Sequence, residues 1–307
     1  MKSKQFQHPL VGGGYAYIHR WLPDGEIRAV VQVVHGMAEH GGRYARLAKA
    51  LTEAGYAVVA QDLPGHGRSV PSEPDLGHVA DREGWRITLG AINSVRDWIK
   101  HELHDPPIFM LGHSMGSFLL QQDVIEHNHK IVGAIFSASS GDLGPLRSVG
   151  LNLLRIEALW KGLRHRSALA ERLSFKEFNK QFKPNRTDFD WLSRDDAEVD
   201  QYIKDPLCGF RCSSALWMDL LRACGHLNDP AQIAKITKDL PILIVNGSRD
   251  AATRGEYGPR ALEAHYRTAN LNDVVLRIYP EARHELLNET CRDELTRDVL
   301  NWLEQHS

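Results

Sequence analysis

Short β-branched runs alternate with longer apolar stripes at helical spacing along most of this chain. Ala29-Val30-Val31-Gln32-Val33-Val34 precedes Leu47, Leu51 and Ala54, spaced as on one helix face, with Gly55 in the place of a helix C-terminal cap; Ala57-Val58-Val59-Ala60 follows. Runs this short and apolar predict strands covered on both faces, and the stripe between them predicts an amphipathic helix. From Trp85 the positions Leu89, Ile92, Val95, Ile99 and Leu103 predict a longer helix, broken at Pro106-Pro107 before the apolar run Ile108 to Leu111. A helical pattern through Phe118, Leu119 and Leu120 comes next, then strands at Ile131 to Ser137, Ile242 to Val245 and Val274 to Tyr279, and a closing helix marked by Leu295, Val299, Trp302 and Leu303. Such alternation predicts an α/β fold with a mostly parallel central sheet and helices on both faces.

The rhythm stops between residues 143 and 237. Strand-like runs disappear there in favour of helix-like patterns and charge, so we expect a core of residues 1–142 and 238–307 interrupted by an inserted helical cap over 143–237. The stretch from Val149 to Trp160 is strongly apolar and is followed by Lys161, Arg164 and Arg166. A basic amphipathic helix of this kind can touch a membrane surface; it can equally seat its apolar face on its own core. Phe175, Phe178 and Phe182 form a second stripe, suited to cap packing and to lining an acyl pocket.

One short segment carries the chemistry. Gly112-His113-Ser114-Met115-Gly116 lies between a predicted strand and a predicted helix, the context of a nucleophile elbow, with the serine at the tip of a sharp turn. A serine hydroxyl needs a base to take its proton and an acid to orient that base. In the elbow architecture the acid follows a late strand and the histidine the last one. Asp250 lies just after Ile242 to Val245, and His284 just after Val274 to Tyr279, which makes Ser114, Asp250 and His284 the candidate triad. Attack on an acyl carbonyl also creates an oxyanion, which two backbone N–H groups should meet. Met115 would supply one, and Met37, in the loop His35-Gly36-Met37-Ala38-Glu39-His40, the other; His35, Gly36, Gly112, His113 and Gly116 would support them.

Composition narrows the classes. With 37 basic and 39 acidic side chains there is no electrostatic footprint of a nucleic-acid binder. Cys208, Cys212, Cys224 and Cys291 contain no Cys-x-x-Cys pair, so reduced thiols are expected rather than a disulfide framework or zinc knuckle. His127-Asn128-His129 and the pair His101 and His104 lack a metalloenzyme spacing, and His284-Glu285-Leu286-Leu287-Asn288 lacks the second histidine of a zinc-protease motif, so no metal and no cofactor are expected. The first residues lack the apolar core of a signal peptide, and no run approaches the ~20 apolar residues of a membrane span. A cytoplasmic location is therefore expected.

Taken in this order, the motifs resemble the α/β-hydrolase superfamily, and within it the monoacylglycerol lipase and lysophospholipase branch, a serine aminopeptidase-type group. The resemblance rests on His35-Gly36 through Glu39-His40, on Asp62 with Pro64-Gly65-His66-Gly67 and Ser69, on the elbow, and on Gly247-Ser248 with Asp250. It implies an α/β-hydrolase fold, Ser114 as nucleophile, Asp250 as acid, His284 as base, and Met37 and Met115 as oxyanion donors. This chain has Ala38 and Ser117, expected at the entrance, where the branch often has glycine, which implies a narrower or differently shaped pocket. The activity implied is hydrolysis of a lipid ester with a single long acyl chain, a monoacylglycerol or a lysophospholipid, through an acyl-enzyme. A peptidase, amidase or short-chain carboxylesterase with the same triad is an alternative, and a hydrolase-like binding protein is a third. The sequence leaves the oligomeric state open.

Overall fold

Eight strands form one sheet in the spatial order β1-β2-β4-β3-β5-β6-β7-β8. They are β1 (Lys2–Pro9), β2 (Tyr15–Leu22), β3 (Ala29–Val34), β4 (Tyr56–Gln61), β5 (Ile108–His113), β6 (Gly133–Ser137), β7 (Ile242–Gly247) and β8 (Val274–Tyr279). The computed structural model describes residues 1–144 and 146–307. From β4 through to β8 every neighbouring pair is parallel, while β1 pairs antiparallel with β2, and β2 with β4.

The helices are α1 (Ala45–Glu53), α2 (Gly84–Glu102), α3 (Met115–His127), α4 (Leu146–Lys161), α5 (Ala168–Leu173), α6 (Phe175–Asn179), α7 (Asp196–Lys204), α8 (Ser214–Ala223), α9 (Pro230–Ile233), α10 (Tyr257–Thr268) and α11 (Arg292–Gln305). Alternate strand residues point to opposite faces, which divides the core in two. Val30, Val34, Met110, Phe136 and Ile244 pack with Leu89, Ile92 and Val95 of α2, Leu119 and Val124 of α3, and Leu262 and Tyr266 of α10. Their neighbours Val31, Val33, Phe109, Leu111, Ile135 and Leu243 pack with Leu47 and Leu51 of α1 and Val299 and Trp302 of α11. This two-sided burial is why β3 to β7 read as continuous apolar runs, and the expected α/β class with a mostly parallel sheet is borne out.

The β1–β2 hairpin is an addition that periodicity did not reveal. β1 reads KSKQFQHP and is exposed along most of its length, so it carries no apolar run to detect. Between β6 and β7 the chain passes through α4 to α9, and among the described residues its one β-contact is an isolated bridge between Arg166 and Ser213. No helix among the described residues is long and apolar enough to cross a membrane.

Candidate active site

β5 delivers the chain to Ser114 at the carboxyl end of the sheet, the edge where open α/β sheets place their ligands. Ser114 has φ 52° and ψ −119°, a strained backbone for a residue with a side chain. The strain sits on the serine itself, and the flanking glycines serve a different purpose. A Cβ on Gly116 would lie 2.1 Å from the Val34 carbonyl oxygen, and one on Gly112 2.6 Å from that of Gly116. Glycine is needed here because backbone meets backbone at the end of β3. The turn is braced by Ser114 N–H donating to the Ser137 carbonyl (3.0 Å) and by the Ser117 hydroxyl donating to the Ser114 carbonyl (2.6 Å).

Three side chains from distant parts of the sequence meet at this turn. His284 Nε2 lies 2.9 Å from Ser114 Oγ, and His284 Nδ1 lies 2.9 and 3.0 Å from the two carboxylate oxygens of Asp250. The carboxylate can only accept, so Nδ1 carries the proton and Nε2 presents its lone pair to the serine hydroxyl. Asp250 is fully buried and accepts a further bond from the Ala252 N–H at 2.9 Å. Burial alone would depress the His284 pKa; the Asp250 charge and hydrogen bond, with Glu285 and Glu39 further off, outweigh it and raise the group above 6.5.

The Met37 and Met115 N–H groups have no protein acceptor among the described residues. The loop that carries Met37 is fastened on both sides. His35 Nδ1–H donates to the Gly36 carbonyl (2.7 Å), and its Nε2 accepts from Leu63 N–H (2.9 Å). Both ring nitrogens are thereby committed, and burial pushes its pKa down to about 4, so His35 is a neutral brace. His113 lies 3.2 Å from the Ser137 hydroxyl, and its ring sits tilted 5.0 Å from that of His284; burial, then the nearby histidine, push it down to about 3. A Cβ on Gly36 would lie 2.9 Å from Glu39 Oε1 and 3.2 Å from the Ser114 Cβ, so a side chain there would crowd both.

Two residues read from sequence as lining an entrance do not. Ser117 is fully buried, with its hydroxyl also against Ser139 (2.8 Å). Ala38 is fully buried at φ 57°, the left-handed region that suits the glycine common in the branch, and its carbonyl accepts from Gly209 N–H and the Tyr202 hydroxyl, both at 3.0 Å. Other neighbours were not legible in sequence. Trp191 lies over the imidazole of His284 at 4.8 Å and stacks on Phe175, which packs against Trp217. Glu39, Arg43 and Glu285 form a buried ion cluster beside the histidine. The adjacency of Glu285 to His284 was the one available signal.

Among the described residues, two side-chain sets bring metal-ligand types within 4.8 Å of one another, His19 with His40 and Asp62, and His40 with Asp205 and Cys208. The His40 and Asp62 atoms are already committed. His40 Nδ1 accepts from Gly42 N–H and Nε2 faces Asp205 at 2.9 Å, while Asp62 Oδ1 takes both His19 Nε2 (3.0 Å) and Gly41 N–H (2.9 Å).

A parallel sheet with an antiparallel hairpin at one edge, a strained serine at the tip of a strand-to-helix turn, and a histidine and aspartate on later loops define an α/β-hydrolase. More particularly, the chain belongs to the Hydrolase_4 family, serine aminopeptidase S33, whose model matches residues 25–291. It is similar to the monoglyceride lipase of Mus musculus, 29% identical over 94% of this chain and 85% of that protein. The monoacylglycerol lipase of Mycolicibacterium smegmatis is 28% identical over 100% of this chain and 99% of that one. Among solved structures, a carboxyl esterase from Bacillus coagulans, in complex with glycerol, superposes with a TM-score of 0.90 at 23% identity, covering 100% of this chain and 99% of the other. A monoacylglycerol lipase from Paleococcus ferrophilus gives 0.70 at 26% identity, covering 95% and 99%.

Proposed function

We propose that this enzyme, a hydrolase of ester substrates, cleaves esters carrying one long acyl chain, a monoacylglycerol or a lysophospholipid, through an acyl-enzyme on Ser114. The observation that supports this most is the continuous hydrogen-bond path from Ser114 Oγ through His284 to Asp250, with contacts of 2.9 Å at each step. In the proposed sequence Ser114 Oγ attacks the ester carbonyl while His284 Nε2 takes its proton. The oxyanion is met by the N–H groups of Met37 and Met115, each such donor worth on the order of 3 kcal/mol in the transition state. Collapse expels the alkoxide, which takes the proton from His284. Water then attacks the acyl-enzyme with His284 as base again, and a carboxylic acid leaves. Asp250 stays ionised and holds the imidazole in the tautomer the reaction requires.

The acyl preference is supported by the names of the relatives and by the aromatic wall of Phe175, Trp191 and Trp217 beside His284. Such a wall offers aromatic area against which a hydrocarbon chain can pack. We extend the proposal to residues 143–237 as a cap over the core of 1–142 and 238–307, and to transient contact of that cap with a membrane surface. In α4, Leu151 and Leu154 face inward, whereas Leu159 and Trp160 are 85% and 86% exposed beside Lys161. Four free cysteines accord with a cytoplasmic setting.

A fluorophosphonate probe tests the chemistry: it should label the wild type at Ser114, and Ser114→Ala should abolish labelling. The same substitution should lower turnover by a factor on the order of 10⁶, and adding Asp250→Ala should cost little more, because such residues act as a unit. A folded wild type that stays unlabelled would overturn the enzymatic mechanism. A chain-length series of nitrophenyl esters tests the substrate, and a peak at short acyl chains would favour a carboxylesterase instead.

A further inference from the structure

Three ionisable side chains are enclosed where the loops bearing Met37 and His284 meet. Arg43 gives Nη1 and Nη2 to the two oxygens of Glu285, both at 2.6 Å, and Nη1 also reaches Glu39 at 2.9 Å. Only 12% of the Arg43 side chain is exposed, with 4% for Glu39 and 7% for Glu285. Glu39 Oε1 accepts from the Gly36 N–H at 2.6 Å and the Tyr44 hydroxyl at 3.1 Å, which ties it to the residue before Met37. Glu285 follows His284 in the chain, accepts from Asn288 Nδ2 at 3.1 Å, and gives its own N–H to the Leu192 carbonyl at 2.8 Å. The guanidinium lies 4.9 Å over the ring of Tyr202, whose hydroxyl holds the Ala38 carbonyl.

Stability does not explain this arrangement. Enclosed ion pairs barely offset the cost of desolvating their charges, and apolar replacements of similar volume are often as stable or more so. The burial of Glu285 works against its ionisation, yet the Arg43 charge and hydrogen bonds hold its carboxyl well below the usual range, so Glu285 stays charged opposite Arg43 at working pH. What the cluster does achieve is geometric: one planar fork spans the two loops.

We propose that Arg43 is a positioning residue, whose simultaneous grip on Glu39 and Glu285 sets the Met37 N–H and His284 Nε2 at the spacing needed to act on one seryl-bound carbonyl. The proposal rests on the mechanism of the preceding section. Its effect belongs to the transition state: the ester ground state needs neither donor nor base in register, so loss of the fork should lower kcat and leave KM nearly unchanged.

Two variants test it. Arg43→Lys keeps the charge and loses the fork; Arg43→Met combined with Glu285→Leu removes one charge of each sign and leaves Glu39 bonded to Gly36 and Tyr44. Each is assayed for kcat and KM on a nitrophenyl ester, for affinity toward an alkylboronic acid that forms a tetrahedral adduct on Ser114, for affinity toward the free fatty acid, and for thermal unfolding. We expect kcat and boronate affinity to fall together, by a factor on the order of 10², with KM and fatty-acid binding within about twofold of the wild type in a protein that still melts cooperatively. Unchanged kcat in both folded variants overturns the proposal. So does a loss of fatty-acid binding in step with kcat, or failure of both variants to fold, since Arg43 would then be a residue of plain structure. A wild type unlabelled at Ser114 would instead remove the mechanism itself, and that result is read before any variant is made.

Discussion

His284 is held between a carboxylate that favours its charged form and a proposed role that requires the neutral one. With its pKa raised above 6.5, activity should appear only as pH climbs through that raised value. Folding stability has the opposite dependence for this group. The folded state binds the proton more tightly than the unfolded chain, so its contribution is full below 6.5 and is lost as pH rises through the folded pKa. His35, His66 and His113 behave in reverse. Burial depresses them to about 4, 4 and 3, so the unfolded chain takes up protons first, and stability falls as pH drops below 6.5 toward those values, by up to ~1.4 kcal/mol per pH unit for each. Groups facing His284 itself are Asp250, Glu285, Glu39 and the neutral His113. Melting temperatures and kcat/KM followed from pH 4 to 9 should therefore show melting falling on the acid side while the rate climbs past neutrality. A rate that is flat from acid to neutral pH would contradict the assignment of His284 as base.

Among the elements, α4 is exposed in an unusual way. A helix seated on its own core normally turns its large apolar side chains inward. Here Val149 and Ile156 are more than half exposed, and Leu159 and Trp160 almost wholly so. Trp160→Ser with Leu159→Ser should weaken sedimentation with anionic vesicles severalfold and lower turnover of vesicle-borne ester, while leaving turnover of a dissolved short ester as it was. Equal vesicle binding by variant and wild type would refute membrane contact. The same scale shows what could be read in advance. The parallel strands were legible because burial on both faces requires mostly apolar runs such as Ile242 to Val245, and α1, α2 and α11 because one buried face requires a stripe. β1 was not, since an exposed edge imposes no apolar pattern. At the site, Ser114, His284 and Asp250 could be located because chain order and strand ends restrict where they stand. Trp191, Tyr202 and Arg43 could not, because what brings them there is the packing of 143–237 and α1 against the loops, which no local spacing encodes. Ala38 and Ser117 were misread as entrance residues for the same reason: sequence gives neighbours along the chain and is silent about which way a buried side chain turns.

At the scale of the whole molecule, the sheet has two ends, and β1 forms one of them. Its outer row of amide and carbonyl groups is a template on which another strand can pair. Lys2 and Lys4 stand exposed along it, and Pro9 closes it. In a crowded solution of identical molecules these lysines should act as spacers, because a strand arriving from a second copy would have to settle against two exposed positive charges on the rim. Lys2→Val with Lys4→Val should leave each folded molecule as active as before, yet make light scattering rise with time and concentration. Solutions of that variant that stay clear through prolonged incubation at high concentration would show that something other than charge keeps these rims apart.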